Sequence, residues 1–438
     1  MKIGIISINA HTKVLNFASP LHSYAFWAFL ERNGIESTII DYIPNYYGKF
    51  DVKHPLFYYI DYPKSSNAAQ KRLLKRWKTL FYEREDRYEH FEKFIQTYYR
   101  KTDKCYTAKL MDTEDPGFDC YICATDVIWK CNLSAGFDRG FFLACKQLEG
   151  KKKIAYSASR GAREYTPKQA KEFFDYISDI DFISVREKSL QNYIQQNSDL
   201  PVTQVLDPVF LNDRDFYIEL ASPPEKKGYV LIYIVMEKAT ELVETAAAYA
   251  ASHNLELLEI SEDLENADIP EGTHHEIIYG IGIEDWLGYM KDATCIFTNS
   301  FHACCFSIIF GVQFFAGNRS GDKIGSLLDM FHLSHRYITG VSTETVFNMP
   351  DINYDEIDTL RHQLASESSS FILNAIHHME RNEHQNHRDL VHESVYSAKD
   401  EDPPAKQNNK KTFLSRLKTK IKQILKQLKK FFHVDSGK

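Results

Sequence analysis

His302 stands two residues after the polar pair Asn299-Ser300 and near the head of an apolar run, Phe301 to Phe310. Before that pair comes Cys295-Ile296-Phe297, a short β-prone stretch. A strand, a tight polar turn capped by Asn299 or Ser300 and a buried helix, in that order, put His302 in the first helical turn. Unfilled backbone N–H groups and the positive end of the helix dipole favour an anionic ligand there. An imidazole can give or take a proton near neutral pH. An anion site and a proton donor therefore fall within a few residues of each other. A histidine that only hydrogen-bonds within a helix start is the competing reading. The chain has no G-x-x-x-x-G-K-[ST] or G-x-G-x-x-G loop, which speaks against a nucleotide-driven motor or a dehydrogenase. No metal is expected. Cys120 and Cys123 share a two-residue gap but lie in a strand-like run, where side chains alternate faces. His377, His378, His384, His387 and His392 lack compact ligand spacing.

The elements that must position this chemistry alternate between β-like and amphipathic runs. Strands are expected near 2–7, 37–42, 119–123, 153–157, 181–184 and 202–206. Helices are expected over 21–32, 68–99, 167–178 and 187–196. Pro223, Pro224 and Lys226-Lys227-Gly228 mark a boundary, after which the alternation restarts. Strands near 229–235, 255–260, 276–279, 295–298 and 312–316 then alternate with helices over 240–252, 283–290, 301–310 and 323–331, and a helix over 354–381 follows. The fold class is therefore α/β, with two Rossmann-like parallel-sheet domains at 1–208 and 209–382. A polar linker is read at 383–411 and a basic amphipathic helix at 412–433. In such sheets ligands bind beyond the carboxyl ends of the strands, where Ser184-Val185-Arg186 and Thr298 to His302 both fall.

The order of several short motifs resembles the polysaccharide pyruvyl transferase family. Thr298-Asn299-Ser300-Phe301-His302 is similar to that family's T-D-S-F-H, and Lys323-Ile324-Gly325-Ser326-Leu327-Leu328 to its later basic-Ile-x-Ser-Leu-Leu helix, with Arg336 closing the segment. Asn16-Phe17-Ala18, Ile39-Ile40-Asp41-Tyr42, Ala155-Tyr156-Ser157-Ala158-Ser159, Ser184-Val185-Arg186-Glu187 and Val205-Leu206-Asp207-Pro208 resemble other marks of the family in family order. The resemblance runs from residue 1 to about 380. Ala124 to Lys130 departs from the usual G-S-D-Q-V-W-N, keeping the Asp and Trp, while Ala18 and Ala303 stand where glycine is usual.

The resemblance implies a GT-B-like pair of halves with a cleft between them. It also implies transfer of a pyruvyl group from phosphoenolpyruvate to two sugar hydroxyls, forming a cyclic ketal on a cell-surface glycan or its lipid-linked precursor. No cofactor is implied beyond phosphoenolpyruvate as donor substrate. His302 matches the position of the general acid. Arg186 matches an arginine whose fork fits carboxylate or phosphate; an ion pair with Glu187 or another nearby acid is the plainer reading. Lys323 could neutralise phosphate or be a surface lysine, and Ser300 could complete the anion cradle. Asn16 could face a ligand or only hold its turn. Asp126 could accept a hydrogen bond from an acceptor hydroxyl or cap its own turn. A GT-B glycosyltransferase using a nucleotide sugar and a non-catalytic relative are the alternatives.

Length and composition fit a globular chain: 438 residues, 43% hydrophobic and 26% charged. No opening export signal and no window of membrane-spanning length are read, so the expected location is cytoplasmic. From Lys410 onward ten Lys or Arg face one Asp, a tail of +9, while the chain as a whole carries −7. The acidic remainder does not suit nucleic acid. In the tail, Leu414, Leu417, Ile421, Ile424, Leu428 and Phe431 recur at gaps of three and four among lysines. That pattern fits a helix lying on an anionic membrane surface, peripheral at the inner face of the cell membrane.

Overall fold

A computed structural model describes residues 1–8, 11, 15–47, 81–133, 135–261 and 273–381. The linker and basic helix expected at 383–411 and 412–433 lie outside these residues. In chain order the first part comprises β1 (Ile3–Ile6), α1 (Ala18–Arg32), β2 (Ser37–Tyr42), α2 (Phe81–Tyr98), β3 (Lys101–Tyr106), β4 (Cys120–Asp126), β5 (Lys152–Ala158), α3 (Pro167–Ile177), β6 (Phe182–Val185), α4 (Lys188–Asn197) and β7 (Val202–Gln204). A short helix α5 (Arg214–Leu220) leads to β8 (Tyr229–Tyr233), α6 (Thr240–Ser252), β9 (Glu256–Ile260), β10 (His275–Ile278), α7 (Ile283–Asp292), β11 (Cys295–Thr298), α8 (Phe301–Phe310), β12 (Gln313–Ala316), α9 (Lys323–Met330), α10 (Thr343–Phe347) and α11 (Tyr354–Arg381).

Strands β1, β8 and β11 are buried at every residue, which suits parallel sheets covered on both faces. The first sheet has seven strands in the order β3-β2-β1-β4-β5-β6-β7, and the second has five in the order β10-β9-β8-β11-β12. All neighbours in both sheets are parallel. This is the two-sheet α/β architecture expected from the sequence. Strand order reverses between β1 and β4 in one sheet and between β8 and β11 in the other. Beyond the carboxyl ends of strands at such reversals a crevice opens.

One strand was not expected. Lys101-Thr102-Asp103-Lys104-Cys105-Tyr106 is too polar to read as a strand, yet it forms the outer strand β3. An edge strand has one hydrogen-bonding neighbour, so most of its side chains stay exposed, and charges there discourage pairing with other chains.

The two sheets share a core. Phe17, Leu21, Phe91 and Phe94 belong to the same buried cluster as Trp286, Ile308 and Phe310, and the Phe17 and Trp286 rings stack at 5.8 Å. Buried Arg87 of α2 donates from Nε to the Tyr279 carbonyl at 2.7 Å and from Nη2 to the Ser261 carbonyl at 2.8 Å. Helix α11 begins beside α8, where the Tyr354 hydroxyl donates to the Val312 carbonyl, and Asp358 pairs with Arg214 at 3.0 Å. It ends on the first sheet's side, where the Leu206 amide donates to Ser368 at 2.9 Å and Lys152 donates to the Met379 carbonyl. Residues 1–386 accordingly cluster as one compact unit. Among the described residues no helix is long and apolar enough to cross a membrane.

Candidate active site

Helix α8 places His302. Asn299 fixes the turn before it, accepting from the Val235 amide at 2.7 Å and donating to the Glu237 carbonyl at 2.8 Å. Ser300 is the N-cap: its hydroxyl accepts from the Ala303 amide at 3.4 Å. Ser300 thus serves the helix start directly. Among the described residues nothing accepts from the amides of Phe301 or His302, the remaining donors of the first turn. All ten residues of α8 are buried, and Gly311, at a φ of 73°, closes the helix.

From the facing sheet, β6 delivers Arg186 and β4 delivers Asp126. Arg186 is 3% exposed, and its fork is filled by the chain's own acids. It donates from Nη1 to Asp207 at 2.7 Å and from Nη2 to Asp126 at 3.0 Å, while Nε lies 3.5 Å from Glu187. The guanidinium carbon also sits 4.0 Å from the centre of the Phe301 ring, a cation–π contact that reaches α8. The ion-pair reading of Arg186 is therefore the one the geometry displays, with three carboxylates rather than one.

These charges shift one another. Burial alone would raise the Asp126 carboxyl, but Lys323 and Arg186 hold it well below the usual carboxylate range. Asp207 is likewise held low against its burial, by His302 and Arg186. Glu187 is pushed up by burial, and its Oε2 has no hydrogen-bond partner. Lys323 is half-buried, and burial lowers its pKa. Among the described residues it makes no hydrogen bond or close ion pair, which leaves its ammonium available. It arrives there because α9 docks on the first sheet's side: the Lys188 amide donates to the Ser326 hydroxyl at 3.0 Å, and Gln204 donates to it at 3.1 Å. The loop before α9 also presses on that side. Gly321, at a φ of 83°, lies so close to Ala162 that a Cβ would meet the alanine methyl at 2.8 Å.

His302 is 6% exposed, and its Nε2 lies 3.5 Å from Asp207 Oδ2 without forming a hydrogen bond. Behind it lies His22 of α1, fully buried, its ring stacked on that of His302 at 5.5 Å and 24°. Burial, and then the neighbouring His302, hold the His22 pKa down to about 4. Its Nε2 is also unpartnered. Asn16 stands apart from this group: its amide oxygen accepts from the Ala18 amide at 2.9 Å and secures the start of α1.

The structure thus brings His302, Arg186, Asp126, Ser300 and Lys323 to the two strand-order reversals and puts Asn16 at a helix start. Reading the sequence missed His22, Asp207 and Glu187 as members. Asp207 and Glu187 sit inside motifs that were noticed, whereas His22 gives no signal beyond a lone histidine in an apolar helix. Arg336 is buried elsewhere, over Phe315 at 5.0 Å.

A separate trio, His11, Asp41 and Cys105, has ligand atoms within 4.8 Å of one another. Both oxygens of Asp41 are already engaged, one with His11 Nε2 at 2.6 Å and the other with the Lys101 ammonium at 2.5 Å. That ammonium brings positive charge to the carboxylate a metal would need. Cys120 and Cys123 are buried in β4, and burial pushes both thiols up, away from the thiolate that metals prefer.

Several solved structures have a related overall course at very low identity. The UDP-GlcNAc 2-epimerase from Neisseria meningitidis bound to UDP-GlcNAc is 9% identical over 91% of this chain and 100% of its own, with a TM-score of 0.47. The Methanocaldococcus jannaschii UDP-GlcNAc 2-epimerase in complex with UDP-GlcNAc and UDP is 11% identical over 84% and 100%, with a TM-score of 0.42. Arabidopsis thaliana UGT89C1 complexed with UDP-L-rhamnose is 9% identical over 87% and 98%, with a TM-score of 0.43. No curated protein sequence matches the chain. The family model of polysaccharide pyruvyl transferase, by contrast, matches residues 21–319, a span that runs from α1 through the loop after β12 and holds His22, Asp126, Arg186, Glu187, Asp207, Ser300 and His302. On that match, the chain belongs to the polysaccharide pyruvyl transferase family.

Proposed function

We propose that the protein transfers a pyruvyl group from phosphoenolpyruvate to two hydroxyls of a cell-surface glycan or its lipid-linked precursor, forming a ketal and releasing phosphate. The observation that carries this reading is the meeting, at the two strand-order reversals, of a buried histidine, an unpaired lysine and the unfilled amides of a helix start. In the proposed reaction His302 gives a proton to the methylene carbon of the enol, and the first sugar hydroxyl adds to the neighbouring carbon. The second hydroxyl then displaces phosphate. Of the two hydroxyl protons released, one leaves with phosphate and one restores His302. Lys323 and the amides of Phe301 and His302 bind the donor's anionic groups. Asp126 accepts a hydrogen bond from an acceptor hydroxyl, and Asn16 supports the start of α1. Because its donors already meet Asp126, Asp207 and Glu187, Arg186 acts by holding those acids in place.

The direct test is to supply purified full-length protein with phosphoenolpyruvate, nucleotide sugars and a panel of glycan acceptors, measuring phosphate release and product mass. Phosphate released only with an acceptor, with the matching mass gain, is the expected result; glycosyl transfer from a nucleotide sugar would replace this reading. A second part of the proposal rests on sequence alone. Residues 412–433 bind an anionic membrane surface on the cytoplasmic face, with 383–411 as tether, beside a lipid-linked acceptor. Salt-sensitive binding to anionic vesicles should disappear when the chain is cut near Pro404, and equal binding by both forms would assign the tail another role.

A further inference from the structure

His302 is poorly pinned by polar contacts. Its Nε2 is 3.5 Å from Asp207 and makes no hydrogen bond. What fixes the ring plane is packing: the Phe301 ring stands edge-on at 5.2 Å and 86°, and the His22 ring lies nearly parallel at 5.5 Å and 24°. His22 is itself anchored. Its Nδ1 is 3.3 Å from the Ser23 hydroxyl, which is 2.7 Å from the Ser7 hydroxyl beyond β1. A line of contacts therefore runs from the first sheet through α1 to the histidine of the second sheet's helix.

We propose that His22 is a positioning residue for His302: its stacked ring holds the His302 imidazole with Nε2 toward Asp207 and Nδ1 toward the cleft. This deepens, and rests on, the reading of His302 as proton donor. The charged groups that act on His22 are Asp207, Asp126, Arg186 and His302 itself. A stacking partner here must stay uncharged, because two imidazolium rings at this spacing would repel in a buried site. Burial meets that requirement, holding the His22 pKa down to about 4. The orphaned Nε2 of His22 adds that the ring, rather than its hydrogen bonding, is what His302 uses.

The test uses the full chain, with His22→Ala removing the ring, His22→Phe restoring a ring without nitrogens, and His22→Gln replacing the alanine variant if that one does not fold. Nitrogen-detected NMR reads the tautomer of His302 near pH 8, with His302→Asn identifying its signals. Phosphate release from phosphoenolpyruvate gives kcat and KM. A single Nε2–H tautomer is expected in wild type and a mixture in His22→Ala, with kcat down about 10- to 100-fold and KM changed by less than about threefold. His22→Phe should recover the tautomer and most of the turnover. An unchanged His302 tautomer in His22→Ala, or a phenylalanine variant no better than alanine, overturns the proposal. If wild type releases no phosphate, the functional reading fails while the tautomer measurement still decides the role of His22.

Discussion

Replacing His22 by Phe should change how stability depends on pH, and the size of the effect follows from two buried groups. In the unfolded chain His22 titrates near 6.5, whereas in the fold burial and His302 bring it to about 4. Between those values the unfolded chain binds a proton that the folded chain refuses, so stability falls as the solution is acidified from pH 6.5 to 4. Each pH unit of such a difference amounts to about 1.4 kcal/mol, so His22 costs the fold about 3 kcal/mol at the acid end. Glu259 of β9 does the reverse. It is 1% exposed with an unpartnered Oε2, and burial pushes its pKa up from 4.5 to about 7. Between 4.5 and 7 the fold keeps a proton that the unfolded chain has lost, so this group's stabilising contribution is complete below 4.5 and is lost as pH rises through 7. Over pH 4.5–6.5 the two slopes nearly cancel in wild type. Urea unfolding followed by tryptophan fluorescence, at half-unit steps from pH 4.5 to 7.5, should expose each one. Relative to wild type, His22→Phe should gain about 1.4 kcal/mol per pH unit on acidification through that window, beyond a constant packing offset, and Glu259→Gln should lose as much. A difference curve for His22→Phe that is flat in pH would refute the reasoning, since it would mean that His22 titrates alike in both states.

Three substitutions probe the rest of the site. His302→Asn should lower phosphate release by about 10²–10⁴-fold with an unchanged circular dichroism spectrum; near-wild-type turnover would remove His302 from the chemistry. Arg186→Met takes the guanidinium away from buried Asp207 and half-buried Asp126, leaving only His302 and Lys323 near them, and should cost about 3–5 kcal/mol in urea unfolding, whereas a loss below about 1 kcal/mol would show that those two cations suffice. Lys323→Met should weaken phosphoenolpyruvate binding by about 1–3 kcal/mol in calorimetry, and unchanged affinity would place the donor elsewhere.

The strand–helix alternation was legible because its signals are local. Ser37–Tyr42, Thr240–Ser252, Cys295–Thr298, Phe301–Phe310 and Tyr354–Arg381 have the ends that apolar period and end residues imply. β3 was not, because an edge strand needs no apolar alternation. The same limit governs the site. His302 is visible from its own helix start, but the threefold engagement of Arg186 depends on Asp207 and Asp126, 21 and 60 residues away in sequence. Lys323 has the spacing of a surface lysine; Ser326, hydrogen-bonded from Lys188 and Gln204, is what turns its helix inward. The His22–His302 pair joins residues 280 positions apart in sequence, and no periodicity reports such a contact.

The shared core has a consequence for how the molecule comes apart. Phe17, Leu21, Phe91 and Phe94 share one buried cluster with side chains contributed after residue 228, Phe17 stacking on Trp286, and Arg87 hydrogen-bonds carbonyls at 261 and 279. A fragment ending near 208 would remove much of that shared cluster and take from the Arg87 guanidinium the carbonyls of Ser261 and Tyr279. The boundary near 208–228 therefore divides the path of the chain but not its cooperativity: the two sheets should melt in a single transition, and neither is equipped to fold as an independent piece.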